Sequence, residues 1–313
     1  MIKWGIIGLG HIAHEFAEGM KPLHAIYGVA ARDLQRARTF QKQYDVQKVY
    51  ESYDSLIEDE EVDVVYIATV NSQHYKNIMK CLKNGKHVLC EKAIWGNYQE
   101  MKIAYEYAKE HNLILSEAMT IYHMPLFEKI QEMIKEGRLG KIKYVQADLG
   151  SLKEDDPENR FFSKALGGGA MLDIGTYTLS FLRYFLTGEF ETMKHVMIPY
   201  PTGVDEMWSI GIATSTGEMG NANMTFRAKL PKRAIVAGDK AYVTVYNYVR
   251  ADRAVLTFPD GKEEEIKYGK TEDALTYEIR DIENCIQDSA CGKHYIEYTM
   301  DVVKVMDELL QSE

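Results

Sequence analysis

The chain has little of what would place it in several large classes. Its four cysteines, Cys81, Cys90, Cys285 and Cys291, contain no Cys-x-x-Cys pair and no spacing suited to zinc, and four are too few to staple 313 residues. They read as reduced thiols. No apolar run approaches the length of a membrane span, and the opening "MIKWGIIGLG" enters a strand without a small-residue cleavage site, so a soluble, unexported, cytoplasmic protein is expected. Basic charge is in deficit. With 37 Lys and Arg against 47 Asp and Glu, the net charge of −10 repels nucleic acid and anionic lipid, which favours a small-molecule partner. There is no internal repeat, low-complexity tract or long Pro/Gly/Ser linker, so the domains should be tightly joined. Of nine histidines only His11 and His14 stand close at helical spacing, with no third ligand, and no metal site is expected.

What is present is apolar sequence in ordered patterns. At 46% apolar and 313 residues, the chain is long enough for two domains with real cores. Up to about residue 120, short apolar runs ("KWGIIG", "AIYGVAA", "DVVYIAT", "KHVLCEKA", "LILSEA") alternate with amphipathic stretches, as strands buried between helices do. In "SQHYKNIMKCLKNGK", Ile78 and Leu82 are four apart and Gly85 ends the helix; Asn97 caps the next, with Glu100 placed to reach back to it. Repeated strand-helix-strand units predict a doubly wound parallel sheet over 1–120. Beyond it, "PLFEKIQEMIKEGRLG" reads as one more helix, and the pattern then becomes strand after strand. "MWSIGIATS" and "AYVTVYNYV" alternate, the latter setting Tyr242, Thr244, Tyr246 and Tyr248 on one face, so 121–313 is expected to be an α+β domain with a large, mostly antiparallel open sheet. That face is open to solvent, a substrate or a second subunit. The final stretch, "YIEYTMDVVKVMDELLQSE", reads as a helix.

Two motifs carry chemistry. "IIGLGHIA" follows the first strand and opens a helix, with Gly8, Gly10 and Ala13 at the positions of the GxGxxG/A dinucleotide fingerprint. Gly8 permits the sharp turn, Gly10 lets backbone approach a pyrophosphate, and the helix start offers free N–H groups to phosphate. The second strand ends Ala31-Arg32, where a site for NAD usually has an acidic side chain; a guanidinium instead matches a 2′-phosphate, so NADP is favoured, with NAD the alternative. Arg36 is a candidate helper, and Asp33 sets a negative charge nearby. Arg32 and Arg36 also read simply as solvated charges at a helix start. The other motif, "CEKA", delivers Glu91 and Lys92 near the carboxyl end of a parallel strand, the edge where such sheets bind ligands. Alternation sends the two to opposite sides, one toward a nicotinamide ribose and one toward substrate.

With "GLGHIA", "AARD", "ATVNSQH" at 68–74, "CEKA" at 90–93, "EAM" at 117–119 and "GGGAMLDIGTY" at 167–177 in this order, the chain resembles the Gfo/Idh/MocA oxidoreductases over nearly its whole length. The likeness is closest to the branch of dimeric dihydrodiol dehydrogenases and NADP-dependent D-xylose dehydrogenases. It implies an N-terminal Rossmann domain, a C-terminal substrate and oligomerisation domain, and a homodimer or higher homo-oligomer formed through the C-terminal sheet. It implies NADP-dependent hydride transfer to or from a secondary alcohol or hemiacetal carbon of a polyhydroxylated substrate, a sugar or a trans-dihydrodiol. Lys92 would contact the reacting hydroxyl, Tyr177 would be the acid/base, and Asp173 would orient Lys92 or a substrate hydroxyl. A phenol ordinarily ionises near about pH 10, so a neighbouring ammonium is needed to stabilise its phenolate at neutral pH. Asp173 also reads as a helix-start carboxylate. The cofactor set is Gly8, Gly10, His11, Ile12, Arg32, Thr69, Asn71, His74, Glu91 and Lys92, and Arg160 would reach cofactor or substrate. Gly167 to Gly169 read either as a close approach of backbone to ligand or as a flexible helix entry. Val70 and Ala93 stand where the family usually has proline, which would loosen cofactor positioning. Two other readings stay open: a dinucleotide-binding regulator without turnover, and a redox-neutral enzyme that cleaves glycosides.

Overall fold

In the computed structural model, residues 1–288 and 291–312 are described. The chain runs β1 (Trp4–Ile7), α1 (His11–Met20), β2 (Gly28–Ala30), α2 (Leu34–Tyr44), β3 (Lys48–Tyr50), α3 (Tyr53–Ile57), β4 (Val64–Ile67), α4 (His74–Lys83), β5 (His87–Glu91), α5 (Tyr98–Glu110) and β6 (Leu115–Ala118). Then come α6 (Pro125–Lys135), β7 (Ile142–Gly150), α7 (Thr176–Phe185), β8 (Phe190–Pro199), β9 (Asp205–Thr214), β10 (Met219–Thr225), β11 (Arg233–Gly238), β12 (Tyr242–Tyr246), β13 (Arg253–Thr257), β14 (Glu263–Lys267), α8 (Ala274–Gln287) and α9 (Ile296–Gln311). Two compact units result, one of residues 1–119 with 273–313 and one of 120–272. The second unit thus stops short of the C-terminus, unlike the expected continuous 121–313 domain.

The first unit holds a parallel sheet in the order β3-β2-β1-β4-β5-β6. Its strands are short and apolar because both faces are covered, and β1 and β4 are buried along their whole length. Between sheet and helices, the Phe16 ring stacks on Tyr66 with centroids 3.8 Å apart. The C-terminal segment belongs here for a packing reason. Ile279 and Ile282 of α8 are fully buried in the same core as Trp4, Phe16 and Val29, and the Thr276 hydroxyl donates to the Gly19 carbonyl at 2.8 Å. Gly19 has no side chain because a Cβ there would come within 2.8 Å of Leu275.

The cysteine expectation is corrected in this segment. Cys285 of α8 and Cys291 are joined in a disulfide with their Cα atoms 5.2 Å apart, while Cys81 and Cys90 are buried free thiols.

The second unit is built on a sheet in the order β14-β13-β12-β11-β7-β10-β9-β8, antiparallel throughout except for the β7–β10 pair. Val145, Ala147, Ile210, Ile212, Ala222 and Val236 are buried, and α7 packs on β7 and β10 with Leu179, Phe181 and Leu182 also buried. The alternate residues make the other face, with Val196, Met219, Tyr242 and Tyr246 exposed. Tyr248 does not join them. Asn247 takes a left-handed conformation (φ 52°) that ends the alternation, and Tyr248 is fully buried. Among the described residues, no helix is long and apolar enough to cross a membrane.

Candidate active site

In the first unit, the strand order places β1 beside β4, with neighbours wound outward on either side, so the switch point lies at the carboxyl ends of these two strands. The turn leaving β1 is the glycine motif. Gly8 has φ +86°, and a Cβ on it would lie 2.5 Å from the Ala68 carbonyl oxygen, so this position requires glycine. Gly10 differs: its backbone is extended, and a Cβ would meet nothing within 4 Å. It faces open space at the head of α1. That helix has no side-chain cap and no acidic residue in its first turn, so the N–H groups of His11, Ile12 and Ala13 meet no competing carboxylate there. Ala13 is fully buried against the sheet. The His11 ring is turned to Glu15 at 3.1 Å, and His14 Nδ1 lies 3.0 Å from the Tyr44 hydroxyl.

At the end of β2, Ala31 is buried and Arg32 is exposed. The nearby negative charge is occupied: Asp33 caps α2 by accepting the Gln35 N–H at 2.9 Å. Arg32 and Arg36 both act electrostatically on the Tyr53 phenol, opposing the upward push of its burial. This open Gly10 cradle and uncapped helix start fit the pyrophosphate of a dinucleotide.

The loop after β4 holds Thr69, Val70 and Asn71, and His74 begins α4. Thr69 and Asn71 are half-buried, and the Thr69 hydroxyl accepts from the Asn77 amide at 3.3 Å. His74 is assigned otherwise than expected. It is fully buried, with Nδ1 3.0 Å from the Ala93 carbonyl and 3.2 Å from that of Ile94, and Nε2 3.0 Å from the Thr69 carbonyl. Both ring nitrogens therefore face backbone rather than a ligand. Burial, the largest influence, lowers its pKa and keeps the ring neutral. With one N–H, one side of this strut is a hydrogen bond and the other a packed contact. The strut joins the loops at Val70 and Ala93, the two positions that lack the family prolines. Ala93 is buried, and the Lys92–Ala93 peptide is cis.

Glu91 closes β5 and Lys92 follows it. Glu91 is 8% exposed; its carboxylate accepts from the Tyr66 hydroxyl and, at 3.2 Å, from the Lys92 backbone N–H. Its carboxylate is thus engaged by Tyr66 inside the sheet. Lys92 is half-buried. A further carboxylate in the same unit, Glu117 on β6, is 1% exposed; in the sequence it stands inside the apolar run "LILSEA" and opens the "EAM" stretch at 117–119.

In the second unit, the glycine run is shaped by packing rather than held open. Gly169 has φ +122°, and a Cβ there would stand 2.2 Å from Asp205 Oδ1; one on Gly168 would stand 2.6 Å from the Phe161 carbonyl. Asp205, nearly buried, accepts the Met171 N–H at 2.5 Å and Trp208 Nε1–H at 2.7 Å. It thereby fixes the start of a π-helical turn, Met171–Gly175, that leads into α7. The backbone hydrogen bonds of that turn span five residues, and Asp173 lies within it. Asp173 lies 3.6 Å from Lys153 Nζ, and Lys153 in turn sits 3.5 Å from the Phe161 ring centroid. Arg160 is exposed, its guanidinium 4.3 Å from that same ring. Tyr177 is the second residue of α7 and half-buried. Lys153 and Asp205 were not singled out from the sequence, since Lys153 sits in an acidic loop without periodicity and Asp205 merely opens an alternating strand.

The chain can be set against known proteins. Residues 2–119 match the model of an oxidoreductase family with an NAD-binding Rossmann fold, and residues 127–244 match the GFO/IDH/MocA C-terminal domain. It is similar to the trans-1,2-dihydrobenzene-1,2-diol dehydrogenase of Xenopus laevis, at 30% identity over 297 residues, covering 91% of this chain and 89% of the relative. Among solved structures it is similar to a 3-ketoreductase from Actinomadura kijaniata in complex with NADP and TDP-benzene, with a TM-score of 0.85, 22% identity, and 98% and 96% of the two chains covered. It is likewise similar to a levoglucosan dehydrogenase in complex with NADH and levoglucosan, with a TM-score of 0.84, 21% identity, and 99% and 98% covered. At those identities the structural likeness establishes the fold. Family models over both parts of the chain, and a relative alike along nearly its whole length, make this chain a member of the Gfo/Idh/MocA oxidoreductase family.

Proposed function

We propose that the chain is an NADP-dependent dehydrogenase acting on a secondary alcohol or hemiacetal carbon of a sugar or trans-dihydrodiol. The observation that carries this reading is the position of Lys92: it follows the last residue of β5, at the same carboxyl edge of the parallel sheet as the Gly8–Gly10 turn and the Thr69–His74 loop. A nicotinamide cofactor supplies the hydride acceptor or donor. Gly10 and the start of α1 would hold its pyrophosphate, Arg32 with Arg36 its 2′-phosphate, and Thr69 and Asn71 the part nearer the ring. Lys92 holds the reacting hydroxyl and stabilises negative charge on its oxygen; Tyr177 takes that hydroxyl's proton in oxidation and returns it in reduction. Asp173 and Arg160 orient the remaining substrate oxygens. The names of two relatives support this substrate class, one a trans-1,2-dihydrobenzene-1,2-diol dehydrogenase and the other a levoglucosan dehydrogenase.

Arg32 decides the cofactor. Arg32→Ala is expected to weaken NADPH by about 1–3 kcal/mol while changing NADH little, as loss of one charge-assisted phosphate contact does. Fluorescence titration with both nucleotides checks this, and equal weakening of the two contradicts the assignment. Turnover of NADP with a panel of aldoses and trans-diols tests the activity itself. Bound NADPH with no turnover on any of them points to a regulator, and glycoside cleavage without net change in NADPH to redox-neutral chemistry.

We further propose a homodimer through the open face of the eight-stranded sheet. Val196 is 65%, Met219 56% and Tyr246 58% exposed on this face, apolar side chains that a second copy would cover. Sedimentation equilibrium should give twice the chain mass, and Tyr246→Lys with Val196→Lys should return it to one; a monomeric wild type contradicts the assignment.

A further inference from the structure

Glu117 places a carboxylate where charge is costly, in a strand buried on both faces. On β6 it stands in register beside Cys90 of β5. One oxygen accepts the Ile94 N–H at 2.9 Å and the other the Thr299 hydroxyl, from α9, at 3.2 Å. Ile94 is two residues past Lys92. The carboxylate therefore ties the segment carrying Lys92 to both β6 and α9. Tethering alone does not explain the charge, because a glutamine would accept from Ile94 N–H and donate to the Thr299 hydroxyl equally well.

The groups facing it come from each element packed around it. From β5 come the buried thiol of Cys90 and the Glu91 carboxylate, and just past it the Lys92 ammonium; Tyr66 of β4 bonds Glu91, and Glu278 of α8 acts on Tyr66. Before α9, His294 lends its carbonyl to the Ser116 hydroxyl at 2.7 Å. Burial pushes Glu117 up to about 7, the Ile94 and Thr299 hydrogen bonds oppose that push, Glu91 adds to it and Lys92 opposes it. The attraction between Glu117 and Lys92 is mutual, so an ionised Glu117 favours the charged form of Lys92.

We propose that Glu117 is a positioning residue for Lys92, holding its turn through the Ile94 N–H and supplying the buried anion that keeps the amine an ammonium during oxidation. This rests on the role proposed for Lys92 at the substrate hydroxyl. Raising the pH ionises Glu117, so alcohol oxidation gains activity through its titration.

The test is the kcat–pH profile of Glu117→Gln, which preserves both hydrogen bonds and removes only the charge. The wild type is expected to show a rising limb near the value given above. In Glu117→Gln that limb disappears and kcat above it falls about tenfold, with NADPH affinity and KM within about threefold. A wild-type profile in Glu117→Gln overturns the inference. If that variant does not fold, Thr299→Val serves: it removes one hydrogen bond to the carboxylate and must move the limb to higher pH, and an unmoved limb overturns the inference equally. Lys92→Met separates the two layers. If it stays active, the role of Lys92 fails; if it is inactive while Glu117→Gln behaves as wild type, only the role of Glu117 fails.

Discussion

Lys92→Met is expected to lower turnover by about 10²–10⁴-fold and leave NADPH affinity nearly unchanged, the range for losing an oxyanion stabiliser that also assists proton transfer. The substitution keeps the apolar stem and removes only the ammonium. The turn that carries Lys92 is also held by other groups, the His74 ring against the Ala93 and Ile94 carbonyls and Glu117 against the Ile94 N–H. Steady-state turnover beside nucleotide titration distinguishes the cases. Intact turnover removes Lys92 from the chemistry, whereas joint loss of affinity, turnover and thermal stability indicates a folding defect instead.

Gly169→Ala should be strongly damaging to the second unit. Its φ of +122° lies where side chains are strained, and the new Cβ would stand 2.2 Å from Asp205 Oδ1. Asp205 cannot withdraw without giving up the Met171 N–H and Trp208 Nε1–H in a buried place. Strain and a broken buried hydrogen bond together amount to about 2–4 kcal/mol. Because the π-helical turn beyond it carries Asp173 and leads to Tyr177, turnover should fall with stability. Gly211→Ala is the control: a Cβ there meets only the Lys194 carbonyl oxygen at 3.8 Å, so its unfolding midpoint should match wild type. Equal midpoints for Gly169→Ala and wild type would show that the glycine run is not fixed by this contact.

Much of the first unit was legible because its strands are buried on both faces and read as continuous apolar runs. The strand β3 was not: it is three residues long at the sheet edge, and only Tyr50 of the three is buried. Asn97 caps α5 as its sequence indicates, accepting the Glu100 N–H at 2.9 Å, but the Glu100 carboxylate takes the Trp95 indole N–H, a pairing that spacing does not reveal. The glycine fingerprint was legible because its requirements are local, a positive φ at Gly8 and open space at Gly10. Tertiary pairings were not. The disulfide at Cys285, the docking of α8 under Phe16, the His74 strut and the Asp205 anchor each depend on segments that only folding brings together, some far apart in the chain. The lone acid inside "LILSEA" carried a signal, since a carboxylate in a doubly buried strand needs partners, and Ile94 and Thr299 supply them.

The central claim is that Lys92 and Tyr177 act on one hydroxyl. A crystal structure of the protein with NADP and a turned-over sugar or diol tests it most directly. The account predicts a single substrate oxygen within hydrogen-bonding distance of both Lys92 Nζ and Tyr177 Oη, on the carbon facing C4 of the nicotinamide. A substrate bound with that carbon at C4 and either side chain away from its oxygen would contradict it.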